Sequence, residues 1–390
     1  MYNSDLKIYQ KTFNLIFNKI KNVFPFLSKK DFLDFKNKYL LFYNKLDRFR
    51  SDEDFFIHLE KFFNSLKNSH TKLVNYPGKV FFKPKGYSVI KCEDKFLLKK
   101  EAIVGEILLI DGQSPHKILN KYKRRVAAST IQYKEQQALK FLLVSKDKSY
   151  VKIRLKADGK KRDLNLKRSL IKFVSWKEII KAKILKDGIG YLKIITWIDR
   201  EQNKKLIDEK LKYFSDKKIK SLIIDVRDNA GGNSDMAKYL ASHFFDKKVL
   251  FSITKIRKNK KSFLLKTQYA YVEPNKTHFS LPIILLINSN CLSSNEYFIA
   301  GLKDNKRAFL IGEKTGGGSG NPKFFEIPFK DSSLRISIST WQYFRANKKR
   351  LEGCGVWPHL VVKETCEDLE KGDDGVLKIA IKKCDDLLED

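Results

Sequence analysis

The 390-residue chain carries 79 Lys+Arg against 45 Asp+Glu, a formal net charge of +34, with 42% hydrophobic and 13% aromatic residues. That composition excludes an acidic, solvated, disordered chain and leaves material for two to three packed domains of ~100–200 residues. A charge of this size suits polyanions, yet the lysines are spread along the whole chain beside Phe, Ile and Asn, so no specific nucleic-acid partner is expected.

From Ser4, the apolar positions Leu6, Tyr9, Phe13, Ile16, Phe17 and Ile20 recur every three or four residues and predict one helical stripe. Helical spacing continues from Lys30 to about Arg48 and from Asp52 to Leu66, so residues 1–75 read as an N-terminal helical unit closing in a turn at Asn68-Ser69-His70. Over 76–172 the character changes. Pro77-Gly78, Pro84 and Gly86 punctuate short β-rich runs, Val80–Phe82, Phe96–Leu98, Glu106–Ile110 and Tyr150–Leu155, with one helix near His116–Tyr122. This predicts a compact β-rich module.

From 173 to 390 strands and helices alternate: Gly190–Thr196, Ser221–Asp225, Ile283–Asn288 and Phe309–Gly312 as strands, with Gln202–Phe214, Asp235–Phe245 and Asn295–Lys303 as helices. Alternation of this kind predicts an α/β core on a largely parallel sheet, with functional loops at the carboxyl ends of its strands. The densest basic run, Lys255–Lys261, reads as a solvated loop. The last stretch, Val376–Leu388, reads as an amphipathic helix packed on the core.

Cys92, Cys291, Cys354, Cys366 and Cys384 make an odd count without a CxxC pair, so neither a disulfide framework nor a zinc finger is expected. Asp5, Lys7 and Lys11 interrupt any signal-peptide core, and the longest purely aliphatic stretch, Ile283–Ile287, is far short of the ~20 residues of a spanning helix. The expectation is a cytoplasmic protein with reduced thiols and no membrane partner.

Chemistry concentrates in three loops that follow buried strands: Asp225–Asn233, Cys291–Glu296 and Gly312–Gly320. In the first, the pair Gly231-Gly232 lets backbone N–H groups turn toward a ligand, as an oxyanion hole requires. In the second, the Ser293 hydroxyl sits at a strand-to-helix junction, where a helix N-terminus favours negative charge. Ser293-x-x-Glu296 also reads as a capping box, which would make the serine purely structural. The third is not a phosphate loop, because the residue after Gly317 is Gly318 and not the lysine of GxxxxGK[ST].

Together with Glu352-Gly353-Cys354-Gly355-Val356-Trp357-Pro358, these segments resemble the S41 serine peptidases, which include the tail-specific (C-terminal processing) proteases and the tricorn core protease. The family pattern runs D-x-R-x-N-x-G-G, S-x-[SN]-E, G-E-x-T-x-G and E-G-x-G-V-x-P; here it is met by Asp225–Gly232, Ser293–Glu296, Gly312–Thr315 with Gly317, and Glu352–Pro358. The resemblance implies a crotonase/ClpP-like peptidase core over 173–390, a PDZ-like module over 76–172, and a serine-type peptidase working through an acyl-enzyme. Tail-specific members use a Ser/Lys dyad whose lysine falls where this chain has Gly318, and Lys314 lies on the wrong side of that loop. Tricorn-like members use a histidine preceded by serine, placed before the PDZ-like module, and a late glutamate.

The resemblance therefore implies a tetrad of Ser293, His70, Ser69 and Glu352, with oxyanion donors in the backbone N–H groups of Ser294 and of Gly231 or Gly232. The chemistry is coherent on its own terms, since a serine hydroxyl needs an adjacent base and imidazole titrates nearest neutrality. No metal or organic cofactor is implied. The expected partners are a peptide or unfolded protein substrate and further copies of the chain in a homo-oligomer. His58, His116, His243, His278 and His359 read as surface or structural. The alternatives are a non-catalytic peptide- or ligand-binding member of the same fold, and a CoA-thioester enzyme of the crotonase type, whose enolates also suit a Gly-rich oxyanion hole.

Overall fold

The computed structural model describes residues 2–26, 28–171, 179–198, 201–259 and 263–389. The expected boundary near 172 and the last two lysines of the basic run lie outside the described residues. The chain divides into two compact units: Met1–Phe173 with Lys255–Lys266 and Gly320–Gln342, and Val174–Thr254 with Thr267–Ser319 and Tyr343–Asp390.

Three helices, Tyr2–Val23, Lys29–Tyr43 and Asp52–Ser65, open the first unit. Ser28 and Asp31 cap the second reciprocally, and Ser51 caps the third, which satisfies N–H groups that helix starts leave unpaired. Their apolar stripes meet in one core around Phe13, Ile16, Phe55 and Phe62. A hairpin from much later in the chain, Lys323–Phe329 with Ser332–Ile338, completes that core, and its second strand pairs antiparallel with Lys72–Asn75. Tyr9, Phe55 and Phe329 stack there. The hairpin falls within residues 173–390, expected to form the α/β core, yet it belongs to the first unit. Its inward residues Ile327, Phe329, Leu334 and Ile336 find their apolar complement on the helices instead.

The β-rich module of the same unit is a six-stranded antiparallel sheet in the order Phe82–Pro84, Lys160–Leu170, Tyr150–Ala157, Ile103–Ile110, Lys95–Lys99, Ser88–Cys92. Val151, Ile153 and Leu155 are buried while their neighbours are exposed, the period of a sheet with one covered face. Two helices supply the cover, Pro115–Lys123 and Ile131–Leu139. Only the first was expected. The second is short and has Ile131 and polar residues on its exposed side, so its periodicity is weak, although Thr130 caps it.

The second unit is built on six strands in the order Leu360–Val361, Phe309–Gly312, Ile283–Ile287, Ser221–Asp225, Ile189–Ile194, Ile180–Ile184, all parallel except the last pair. Every residue of Ser221–Asp225 and of Ile283–Ile287 is buried, as expected of strands covered on both faces. The C-terminal helix Gly375–Glu389 lays Val376, Ala380 and Cys384 against Ile223, Ile284 and Leu286. On this sheet the loops after Asp225, Ile287 and Gly312 leave from neighbouring strands at the same end. Among the described residues, no helix is long and apolar enough to cross a membrane.

The cysteines depart from expectation. Cys291, Cys354 and Cys384 are free thiols, but Cys92 and Cys366 are disulfide-bonded. An odd count excludes complete pairing, not the pairing of some.

Candidate active site

The Asp-x-Arg of the first loop is scaffold. Burial pushes the Asp225 carboxyl pKa up, but Arg227, Lys193 and Tyr191 outweigh it and hold the group below the ordinary carboxylate range. Tyr191 donates to it at 2.7 Å, Arg227 at 2.8 and 3.0 Å, and Lys193 lies 3.0 Å away. Arg227 also grips Asp374, just ahead of the C-terminal helix, at 2.6 and 2.9 Å. Asn229 then shapes the turn: its Nδ2 donates to Ile194 O at 3.2 Å and its Oδ1 accepts the Gly231 N–H at 2.8 Å.

Gly231 has φ +105°, and a Cβ there would lie 2.7 Å from Ser293 Cβ and 3.1 Å from Ser294 N. Only glycine lets the two loops approach this closely. Its own N–H is spent on Asn229, so of the two expected glycine donors it is Gly232 whose N–H makes no hydrogen bond among the described residues. The Ser294 N–H likewise makes none among them.

Ser293 stands at the start of the helix Ser294–Asp304 with φ +62° and ψ −129°, a conformation costly for a residue with a Cβ. Its side chain makes no cap bond, and its N–H donates to Gly318 O at 2.8 Å. The capping-box reading fails on its other side too. The Glu296 carboxylate accepts from the Thr315 hydroxyl and, at 2.8 Å each, from the N–H groups of Gly317 and Gly318. Burial raises Glu296 to about 8, with the three donors opposing and Glu352 adding to the rise. One buried glutamate thus holds the glycine-rich loop by its backbone.

Asn295 ties helix to first loop. Its Nδ2 donates to Val226 O and Asn229 O, each at 3.0 Å, and its Oδ1 accepts from Trp197 Nε1 at 3.1 Å. Cys291 is fully buried and donates to Val226 O; burial pushes its thiol far up, so it is no competing nucleophile. The late motif straps the glycine-rich loop from outside. Thr315 Oγ1 accepts the Val356 N–H at 2.7 Å, the Gly353 N–H reaches Gly317 O at 2.8 Å, and Ser319 N–H donates to buried Glu352 at 3.0 Å. Lys314 sits over the Trp357 ring at 4.9 Å.

Ser69 and His70 belong to the first unit, in the turn before the strand Lys72–Asn75. Asn68 Oδ1 accepts the His70 N–H at 3.2 Å and the Ser339 hydroxyl at 2.7 Å, while Ser337 donates to His70 O at 2.8 Å. The Ser69 hydroxyl is engaged with Ser129, whose N–H reaches it at 2.9 Å and whose Oγ lies 2.8 Å away. Its hold on His70 therefore runs through the turn, not through a bond to the ring. Burial, with Lys72 adding, pushes His70 down to about 3, so its imidazole is neutral across the physiological range. His58 bonds Phe42 O of the preceding helix, His243 bonds Tyr239 O one turn back, and His359 accepts from the Leu310 N–H of a neighbouring strand.

The model of peptidase family S41 matches residues 188–362. Over these residues the chain is similar to peptidase family S41. The Carboxy-terminal-processing protease of Bartonella bacilliformis is 28% identical over 208 residues, 52% of this chain and 46% of that protein. A probable CtpA-like serine protease of Staphylococcus haemolyticus is 26% identical over 219 residues, 56% of this chain and 41% of that one. The chain thus spans less than half the length of these relatives. In fold it is similar to mature CPAF, with TM-score 0.80, 16% identity and 98% of each chain covered. It is also similar to the photosystem II D1 C-terminal processing protease, at TM-score 0.55 and 15% identity over 91% of this chain and 93% of that one.

Within the matched segment, sequence reasoning located the loops and missed what holds them. Asn295, Thr315 and Trp197 carry the buried hydrogen bonds between loops, and Glu296 looked like a cap. Their signal was present only as polar residues inside apolar surroundings, and nothing local says which backbone groups they will reach. Among the described residues no group of three or more His, Cys, Asp or Glu side chains is arranged to hold a metal ion.

Proposed function

We propose that this chain is an S41-type serine peptidase that cleaves peptide or unfolded protein chains through an acyl-enzyme, with Ser293 as nucleophile, His70 as general base, and Ser69 and Glu352 as positioning residues. The β-rich module would be PDZ-like and the α/β core crotonase/ClpP-like. The observation that carries the reading is Ser293 itself. It is held at φ +62° at a strand-to-helix turn without capping the helix it precedes, strain of the kind that aims a nucleophile out of a fold.

Ser293 Oγ attacks the peptide carbonyl carbon and its proton passes to neutral His70; collapse expels the amine, which takes that proton. Water then attacks the ester, giving its proton to His70, and the acid leaves as Ser293 Oγ is reprotonated. The N–H groups of Ser294 and Gly232 would receive the developing oxyanion, each worth about 3–4 kcal/mol in comparable sites. Gly318, where a Ser/Lys dyad would need its lysine, and Lys314, occupied with Trp357, both favour the histidine route.

The test is fluorophosphonate labelling of wild type, Ser293→Ala and His70→Ala, with adducts mapped by mass spectrometry. An adduct on Ser293 whose formation slows at least about a hundredfold in His70→Ala is expected. Folded wild-type protein that takes no adduct on Ser293 would sink the reading.

A further inference from the structure

We propose that a cavity in the first unit, remote in sequence from the S41 loops, is a binding site for a small amphipathic organic anion: an aromatic or acyl body carrying one acidic head group. The cavity measures about 810 Å³, within the ~300–1,000 Å³ of small-molecule sites. It is lined by residues of the helix Asp52–Ser65, the strand Lys72–Asn75 and the two helices of the β-rich module. None of Ser293, His70, Ser69 and Glu352 lines it.

Its charge is unbalanced. Six basic side chains line it, Lys72, Lys79, Lys121, Arg125, Lys146 and Arg168, against the carboxylates of Glu53, Glu60, Asp111 and Asp147. Three basic groups are matched: Arg125 with Glu60 at 2.6 Å, Arg168 with Asp111 at 2.7 Å and Lys146 with Glu53 at 3.0 Å. Asp147 is turned to the Ser149 N–H at 3.0 Å. Lys72 and Lys121 form no ion pair among the described residues, nor does Lys79, which donates to the Val74 carbonyl at 2.6 Å and lies over the Tyr76 ring at 5.1 Å. Lys72 and Lys121 are exposed and Lys79 is half-buried, which leaves three amines at the cavity with no carboxylate paired to them. An acidic head group would answer that deficit.

The remaining wall is apolar and flat. Tyr122 stacks on Phe141 with centroids 5.1 Å apart, Phe81 meets Phe141 edge-on at 6.2 Å, and Val126 and Leu142 lie beside them. Rings so arranged suit an aromatic or acyl body, and cations with an aromatic wall in one cavity select a ligand that carries both features. An inorganic anion would leave the rings unused, and a neutral apolar ligand would leave the lysines unmatched.

The probe is 1-anilinonaphthalene-8-sulfonate, titrated by fluorescence into the folded full chain, with neutral dansylamide as the uncharged comparison. Saturable binding of one equivalent is expected. Lys72→Gln with Lys121→Gln should weaken the sulfonate roughly tenfold or more and leave dansylamide unchanged, and Val126→Trp should block both. Thermal melts establish that each variant is folded, and the lysine pair carries the test should Val126→Trp fail to fold. Decanoate or decyl phosphate should displace the probe, and which does so identifies the head group. Unchanged sulfonate affinity in the folded lysine variant, no saturable binding to wild type, or no displacement by either competitor would overturn the proposal.

Discussion

Ser293, Gly231 and Glu296 show how much of this site is decided by single residues. Gly231 has φ +105° and its missing Cβ would fall 2.7 Å from Ser293 Cβ, so Gly231→Ala must push the serine turn away or break the Asn229 bond. We expect it to lower labelling of Ser293 by about a hundredfold or more, since small displacements of a nucleophile cost that much, and to destabilise the fold by about 1–3 kcal/mol. Retained labelling kinetics would show that the turn tolerates the shift. Glu296 accepts three hydrogen bonds, so Glu296→Gln brings an NH2 against a backbone N–H. A loss of about 1–3 kcal/mol in chemical denaturation is expected, although the substitution changes hardly any volume. Both positions were legible as motif letters in the sequence; neither role was, because the partners lie on other strands.

At the scale of elements, the helix Ser294–Asp304 is buried from Ser294 to Leu302. Gly301 lies in it, and a Cβ there would come within 2.1–2.4 Å of the Phe251 ring. Helix propensity alone favours Gly301→Ala by about 1 kcal/mol, but overpacking a rigid ring costs about 1–3 kcal/mol. The substitution is therefore expected to lower the thermal midpoint, and a raised midpoint would mean that Phe251 moves freely. Most helices, and the four central strands of the parallel core, were legible from period and caps. The short helix Ile131–Leu139 was not, since polar residues follow Ile131 on its exposed side. Nor was the partner of the hairpin 323–338, since an apolar strand face says that it will be buried and not against what.

For the whole molecule, buried ionisable groups set the pH range of stability. His70 at about 3 and His58 at about 4 lie below their ordinary value of 6.5. The unfolded chain binds protons there that the fold refuses, so stability rises with pH up to about 6.5 and is lost as pH falls. Glu296 is raised from 4.5 to about 8, with Glu313 raised as well. Its contribution is complete below about 4.5 and fades as pH climbs through 8. Opposed limbs predict greatest stability near pH 6.5 from these groups, measured as thermal midpoint against pH. Glu296→Gln should flatten the alkaline limb, and an unchanged slope there would refute the assignment to Glu296.

By itself the sequence determined most helices, the parallel core and the four loop motifs, because these are written in periods, turn residues and spacings along the chain; the candidates Ser293, His70, Ser69 and Glu352 came from the resemblance of those motifs to the S41 peptidases. Tertiary structure alone decided that Ser293 does not cap its helix, that Gly231 gives its N–H to Asn229, that Ser69 holds Ser129, and that Cys92 and Cys366 are bonded while the other cysteines are not. It also decided that the hairpin 323–338 packs on the N-terminal helices and that the lysines at 72, 79 and 121 meet aromatic rings around a cavity. Each of these depends on which distant groups share a desolvated space, and hydrogen bonds, burial and charge balance are properties of that space.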